Sequence, residues 1–418
     1  MIFRFSLYGF LKNQRYFEPF FILYCIERGL NFTDIGLLIG FRELSIFLFE
    51  IPSGALADTI GRKRVMVTSF FAYTISFALF FISENMPAMF IGMLFFAIGE
   101  TFRTGTHKAI IFSWLRKEKR ESEKTTVYGF TRSWSKLGSA CSIPISALIV
   151  YFLHNYSYCF LVSIFPCILN IVNLATYPEY LEENKLTAFF SVNTVKNTML
   201  KLYTSLKKTV KKRELRQILI EAMNYEGLYK TAKDYIQPLL QSLAASIMLL
   251  SSGNQFSNNA LVFGVVFIFL HITSAVASRN AGRFENLFNN SNAASRILWI
   301  INGSMFGLFT LSLYFGYHII EVLIFIVLAI LQNLWRPILI SRCSSKINTY
   351  ETATILSIES QVKSLFTMMV APILGFIVDY TGGVNEKLRF MPIGIIGIII
   401  PCLILIRYYS MKWNIDRR

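Results

Sequence analysis

The chain has 418 residues, 54% hydrophobic and only 16% charged, with a mean hydropathy of +0.49 and a formal net charge of +16. Typical soluble domains carry roughly 25% charged residues, and a single core could not hide this much apolar surface. A soluble globule is therefore excluded, and the bilayer is the expected solvent. The positive balance does not indicate nucleic acid as a partner. The basic residues fall mostly in the gaps between apolar runs, and there is neither an aromatic-basic RNA motif nor a C-x-x-C…H-x-x-H finger. The six cysteines form no C-x-x-C pair and mostly lie inside apolar runs, so they read as small packing residues. Lys12 and Arg15 interrupt the apolar start and no small-residue cleavage site follows, so a cleavable leader is not expected.

About 20 apolar residues cross the hydrocarbon core as a helix. By that measure the first half holds spans at 7–28, 33–57, 65–83, 87–114, 126–153 and 157–178. The second half holds spans at 217–250, 258–278, 295–316, 319–341, 351–378 and 390–409, of which 217–250 and 351–378 begin polar. Runs of this length must satisfy their own backbone in lipid, so they are helices. Alternate loops are basic. Arg62, Lys63 and Arg64 mark the first. Arg116, Lys117, Lys119, Arg120 and Lys124 mark the next, followed by the long gap, Arg279 with Arg283, Arg342 with Lys346, and Lys412 with Arg417 and Arg418. The intervening loops hold almost none, which places both termini and the long gap in the cytoplasm.

The gap from about Glu179 to Arg216 carries Lys196, Lys201, Lys207, Lys208, Lys211, Lys212 and Arg213. Val195, Met199, Leu202 and Leu206 recur near helical spacing between them. The segment reads equally well as an amphipathic helix on the inner membrane face or as a solvated linker whose charges enforce topology. It divides the chain into a six-helix half at 1–180, a basic linker at 181–215 and a second six-helix half at 216–418. The halves echo each other: "ALADTIGRK" after the second span has a counterpart in "AVASRNAGRFE" after the eighth, and Pro144 in the fifth span matches Pro372 in the eleventh. Repeated halves are a mark of secondary transporters, with the substrate site near the bilayer midplane between them.

Between the second and third spans the chain reads G-A-L-A-D-T-I-G-R-K from Gly54 to Lys63. This resembles the signature loop of the major facilitator superfamily, G-x-x-x-D-x-x-G-R-[KR], matched at Gly54, Asp58, Gly61, Arg62 and Lys63. Loop position and two-half layout agree, so the resemblance covers the whole chain. It implies an all-α integral membrane fold of about twelve helices in two pseudo-symmetric six-helix bundles, and a multi-pass protein of the plasma (cytoplasmic or inner) membrane. It implies further a monomer without cofactor or resident metal, moving a small solute by alternating access with H⁺ as coupling ion. Asp58 is then a conformational latch against the cytoplasmic end of the eleventh helix, which begins near Thr349, where a carboxylate gains from the helix dipole. Gly54 is expected to allow close helix approach and Gly61 a tight turn of positive φ. Arg103 and Gly105 resemble part of the family's R-x-x-Q-G pattern without its Gln. The fifth span keeps only Gly129, Gly138 and Pro144 of the antiporter pattern G-x-x-x-G-P.

Ionisable residues cost at least about 2.5–3.5 kcal/mol each at the bilayer centre on insertion scales, so they should face the bundle interior. The expected substrate cavity is lined by Arg15, Glu18, Glu43, Glu100, Arg103, Arg132, Lys136, Glu226, Lys230 and Asp234. Glu100, Arg103 and His107 share a face at i, i+3 and i+7. Glu226, Lys230 and Asp234 have the spacing of an i, i+4 ladder. Lys12, Lys108, Glu50 and Glu221 lie near helix ends and read as structural. Cations outnumber acids in the first half, which suits an anionic or zwitterionic organic solute. Glu18, Glu43, Glu100, Glu226 and Asp234 are the candidates for proton coupling. A multidrug/proton antiporter or a lipid flippase on the same fold are the alternatives. An enzyme is not expected: the four histidines are scattered and no Walker loop is present.

Overall fold

The computed structural model describes residues 1–181, 200, 207, 211, 213–247, 254–288, 290–344 and 349–416. Within these, the side chains at 55, 58, 59, 125, 213–214, 344, 349–357 and 409–416 lie outside the description. All regular structure among the described residues is helical, and each predicted span falls on helix. The basic linker lies almost wholly outside the described residues.

The first span is divided. Helix α1 (Ile2–Leu11) ends at Lys12, and a short 3-10 turn at Glu18–Phe20 leads into α2 (Phe21–Glu27). Then come α3 (Phe32–Ile60) and α4 (Arg62–Ile82), joined at Gly61, whose φ of +106° favours glycine as expected. The fourth span is also divided. Helix α5 (Met86–Arg103) stops at Thr104, and α6 (Thr106–Lys117) restarts after Gly105 at φ +79°. Helices α7 (Lys124–Leu153) and α8 (Ser157–Ala175) complete the first half. The seventh span breaks at a 3-10 turn, Lys233–Tyr235, between α9 (Arg213–Ala232) and α10 (Ile236–Ser246). The rest are α11 (Gln255–Asn286), α12 (Ser291–Phe315), α13 (His318–Ser344), α14 (Thr349–Val384) and α15 (Met391–Asp416).

Among the described residues, nine stretches are long and apolar enough to cross a membrane by length and composition. The first, second and seventh spans are not among them. Each carries charge near its middle: Lys12, Arg15 and Glu18; Arg42, Glu43 and Glu50; Glu221, Glu226 and Lys230. Ionisable groups in these spans need protein partners, as do those of the fourth, fifth, tenth and eleventh.

The chain clusters into two compact units. The first comprises Met1–Gly29, Phe41–Lys201 and Ser252–Gly264. Within it α4 packs on α5 and α8, and α1 on α7 and α8. Close approach of α1 and α7 depends on glycine: a Cβ at Gly9 would stand 2.7 Å from Ser135 Oγ, and one at Gly138 would collide with the Phe10 carbonyl. Phe17, Phe77, Phe80 and Phe160 interlock as an aromatic core, with Phe17 and Phe160 stacked at 4.8 Å.

The second unit comprises Leu30–Gly40, Leu202–Ser251 and Val265–Arg418. Here α9 packs on α14, and α12 on α13 and α15. Tyr225, Trp299 and Trp335 form a buried trio, with Tyr225 and Trp335 stacked at 4.2 Å. The first third of α3 belongs to this unit and lies against α14. Gly36 and Gly40, one turn apart, meet Ala371 and Pro372, and Gly375 meets the Phe32 carbonyl; none has room for a Cβ. This closeness lets Asp379 cap α3. Its carboxylate accepts from the Phe32 amide (3.1 Å), the Thr33 amide (2.6 Å) and the Thr33 hydroxyl (2.6 Å). Asn31 and Asp34 add a reciprocal cap at 2.8 and 3.2 Å.

The Asp379 cap is testable by thermal unfolding in detergent. Hydrogen bonds to a charged group are worth about 1.5–3 kcal/mol each, so Asp379→Ala is expected to lower the midpoint by several degrees. Asp379→Asn, which keeps one acceptor oxygen, should lose less.

Candidate functional site

In the first unit the two breaks bring charge together. Arg15 lies in the irregular stretch after α1, and Glu100 and Arg103 lie in the last turn of α5. Glu100 accepts from Arg15 Nη2 at 2.8 Å and from the Tyr73 hydroxyl at 2.6 Å, and closes a tight pair with Arg103. Tyr73 Oη also accepts from Arg15 (2.9 Å) and Arg103 (3.3 Å). Phe96 and Tyr73 present ring faces to the Arg15 guanidinium, at 5.3 and 5.1 Å. Glu18 reaches Arg15 at 3.3 Å but is 60% exposed. Interrupted helices in a membrane occur where the backbone lines a cavity or is buried in protein, and the two breaks in this unit follow that pattern.

His107 departs from the expected face. The left-handed Gly105 ends one helix and begins another, so the i, i+7 relation to Glu100 is lost. His107 stacks on Tyr8 instead, centroids 3.7 Å apart, with Nε2 3.4 Å from the Tyr177 hydroxyl.

Beside this cluster a pocket of about 410 Å³ opens between α1, α6 and α7. Lys12, Arg132, Lys136 and His107 contribute its basic groups, and Tyr8 and Tyr128 its aromatic walls; no acidic residue lines it. Arg132 and Lys136 line this pocket together. Lys12, read from the sequence as a helix-end charge, is the residue that ends α1 and lines the pocket as well.

The second unit has two charge clusters. Arg336 Nη1 lies 2.8 Å from Glu226 Oε1 and 2.8 Å from Glu359 Oε1. Lys363 Nζ lies 2.8 Å from Glu226 Oε2 and 2.7 Å from Glu359 Oε1. Two carboxylates and two cations thus close a ring across α9, α13 and α14. The second cluster is more deeply buried: Arg342 pairs with Glu221 at 2.7 Å, supported by Ser295, Asn292 and Tyr408. The predicted ladder along the seventh span does not form as such. Asp234 pairs with its neighbour Lys233 at 2.6 Å, because the 3-10 turn after α9 breaks the helical period. Lys230 stays half-buried on α9. Glu43 is fully buried on α3 and pairs with Arg42 at 3.1 Å. Arg336, Glu359 and Lys363 were legible as intramembrane charges, and the i, i+4 spacing of Glu359 and Lys363 was the available sign that they belong together.

The signature loop is placed but only partly described. The Asp58 side chain and those at 349–357 lie outside the description. Gly54 is exposed, and among the described residues no heavy atom stands within 4 Å of the place a Cβ would take. Lys63 donates to the Tyr177 carbonyl at 2.7 Å, just past α8. Arg4 donates to Thr176 O at 2.6 Å, and Lys117 to Tyr180 O. Three cations thus donate to backbone carbonyls at and just past the end of α8. Arg62 opens α4.

A family model described as Major Facilitator Superfamily matches residues 13–366. Among characterised sequences, the chain is 26% identical over 136 residues to an uncharacterized MFS-type transporter, YxaM, of Bacillus subtilis (strain 168). It is 29% identical over 119 residues to an uncharacterized transporter of Buchnera aphidicola subsp. Schizaphis graminum (strain Sg). The first match covers 32% of this chain and 34% of the relative, the second 28% and 30%. The chain thus spans about a third of the length of the curated relatives it matches. Among solved structures, a mutant of the nucleoside transporter NupG superposes with a TM-score of 0.78 at 14% identity, covering 98% of this chain and 99% of that one. A POT family transporter in complex with 5-aminolevulinic acid gives 0.70 at 14%, covering 97% and 95%. A D-xylose-proton symporter gives 0.64 at 13%, covering 96% of each. These likenesses establish the fold.

Glu100 holds two half-buried arginines, and breaking such a pair by removing one partner costs up to about 3–5 kcal/mol. Glu100→Gln should therefore lower the unfolding midpoint markedly. Glu100→Gln combined with Arg103→Gln should recover part of the loss, since one uncompensated charge goes with it. Equal midpoints for the single and double variants would remove the pairing argument.

Proposed function

The chain belongs to the major facilitator superfamily, and on that premise we propose that it is a secondary active transporter for a small organic solute with an anionic group. The observation that carries this reading is the pocket between α1, α6 and α7, with three cations and no acid in its lining. Side chains this basic in the membrane need a counter-charge, and a solute that brings one is held by it. Transport is by alternating access, the two six-helix halves rocking about a central cavity. Asp58 in the inner loop serves as the latch of that cycle. The protein works as a monomer in the plasma membrane with both termini cytoplasmic, as the loop charges indicate.

H⁺ is the coupling ion in this reading. The ring of Glu226, Arg336, Glu359 and Lys363 supports it. Two carboxylates share two cations at 2.7–2.8 Å, so adding a proton to one acid frees a cation and unbalances the ring. Glu100 is a poorer candidate, because two arginines and Tyr73 hold its charged form. Glu18 is largely exposed, and Asp234 pairs with an exposed lysine.

Reconstituted liposomes test the proposal. An imposed inward proton gradient should drive accumulation of an organic anion, and a protonophore should abolish it. Arg132→Ala is expected to cut uptake by about tenfold or more, the loss of roughly one ion-pair interaction. Glu226→Gln should retain solute exchange while losing accumulation driven by the gradient. Flux confined to cationic or neutral drugs, or lipid scrambling without solute flux, would overturn the reading.

A further inference from the structure

The pocket of the first unit carries more positive charge than one carboxylate can balance. We propose that it is a subsite for a solute bearing two or more negative charges on oxygen, such as a phosphate monoester or a dicarboxylate. The inference rests on the reading of this pocket as a cargo site.

The argument starts from what is already compensated. Among the described residues of this unit, Arg15, Arg42 and Arg103 each have a carboxylate within ion-pair distance. Lys12, Arg132 and Lys136 do not, and all three line the pocket. Lys12 has a partial substitute, the Tyr8 ring 5.5 Å from its ammonium. Arg132 lies close enough to both Lys12 and Lys136 for their charges to repel. These cations are not loosely placed. Gly9 and Gly138 bring α1 and α7 together, and Asn13 Nδ2 donates to Ser135 O at 2.6 Å while Gln14 Nε2 donates to Gly138 O at 3.1 Å. Helix packing therefore holds Lys12 opposite Arg132 and Lys136 in spite of their repulsion. One bound monoanion would leave two of the three charges unbalanced.

Neutral donors add little. The hydroxyl protons of Thr131, Ser135 and Ser139 are spent on carbonyls of their own helix, at 3.0, 3.4 and 3.2 Å. The Asn13 amide is spent as described. Ligand oxygens would be met chiefly by a guanidinium and two ammoniums, the groups suited to phosphate and paired carboxylates. A volume near 410 Å³ exceeds what an inorganic oxyanion fills and lies in the range of organic-ligand sites. Tyr8, His107 and Tyr128 offer flat surfaces for the organic part. The same charge could be supplied by a phospholipid headgroup entering from the bilayer, and the test separates the two sources.

The test is ligand titration followed by thermal shift on the full chain in phosphatidylcholine nanodiscs, with matched probes at constant ionic strength. The probes are succinate against butyrate and ribose 5-phosphate against ribose. The divalent member of a pair is expected to bind at least about tenfold tighter, the scale of one added ion-pair interaction. Arg132→Gln and Lys136→Gln should each remove most of that advantage while changing butyrate binding much less. Both variants should also unfold no earlier than the parent when unliganded, because each relieves repulsion, so a folding defect would be visible. Equal affinity for succinate and butyrate, both lost in Arg132→Gln, overturns this inference and leaves the anion reading standing. Binding of ribose with no anion bound at all removes both. If no soluble divalent probe binds, yet phosphatidate in the nanodisc raises the midpoint and Arg132→Gln abolishes that rise, the occupant is a headgroup and the solute assignment falls.

Discussion

Hydrocarbon offers no hydrogen-bond partner and no counter-ion, so each polar group that enters it must be answered by another part of the protein. That constraint organises this molecule. Helices α4, α8, α11 and α12 are mostly apolar and bring only a few polar side chains to their neighbours. The first, fourth and seventh spans are interrupted, and at each interruption freed backbone and ionisable side chains occur together. At the α5–α6 break, Glu100 gathers two arginines and a tyrosine. Near the seventh-span break, Glu226 gathers an arginine and a lysine. These carboxylates hold their cations at fixed places, and the cations left over line the proposed solute site.

Much of this was legible in the sequence, for a physical reason. A membrane helix must be apolar over a known length, so hydropathy located the spans to within a few residues. Spacing within an unbroken helix is also a sound guide: Arg132 and Lys136, one turn apart, line one pocket. The misreadings fall at the breaks. Helical periodicity was carried through Gly105 and through Lys233, where the backbone departs from it, so His107 and Asp234 were assigned the wrong neighbours. Long-range partners such as Arg342 with Glu221, 121 residues apart, were beyond any periodic argument.

Glycine makes the same point from another side. Gly54 matches the family signature and meets no heavy atom of the described residues, whereas Gly36, Gly40 and Gly375 match no motif and carry a backbone-to-backbone contact. A signature records what a family shares. Close packing is particular to two helices and is visible only once both are placed.

The cations at the end of α8 have a consequence of their own. Lys63, Arg4 and Lys117 belong to the positive charge that sets which side of the membrane a loop stays on during insertion. In the finished protein they donate to backbone carbonyls of the stretch that leaves α8. Biogenesis and architecture therefore draw on the same side chains. Neutralising one of them would weaken the insertion signal and strip a carbonyl of its donor in a single change.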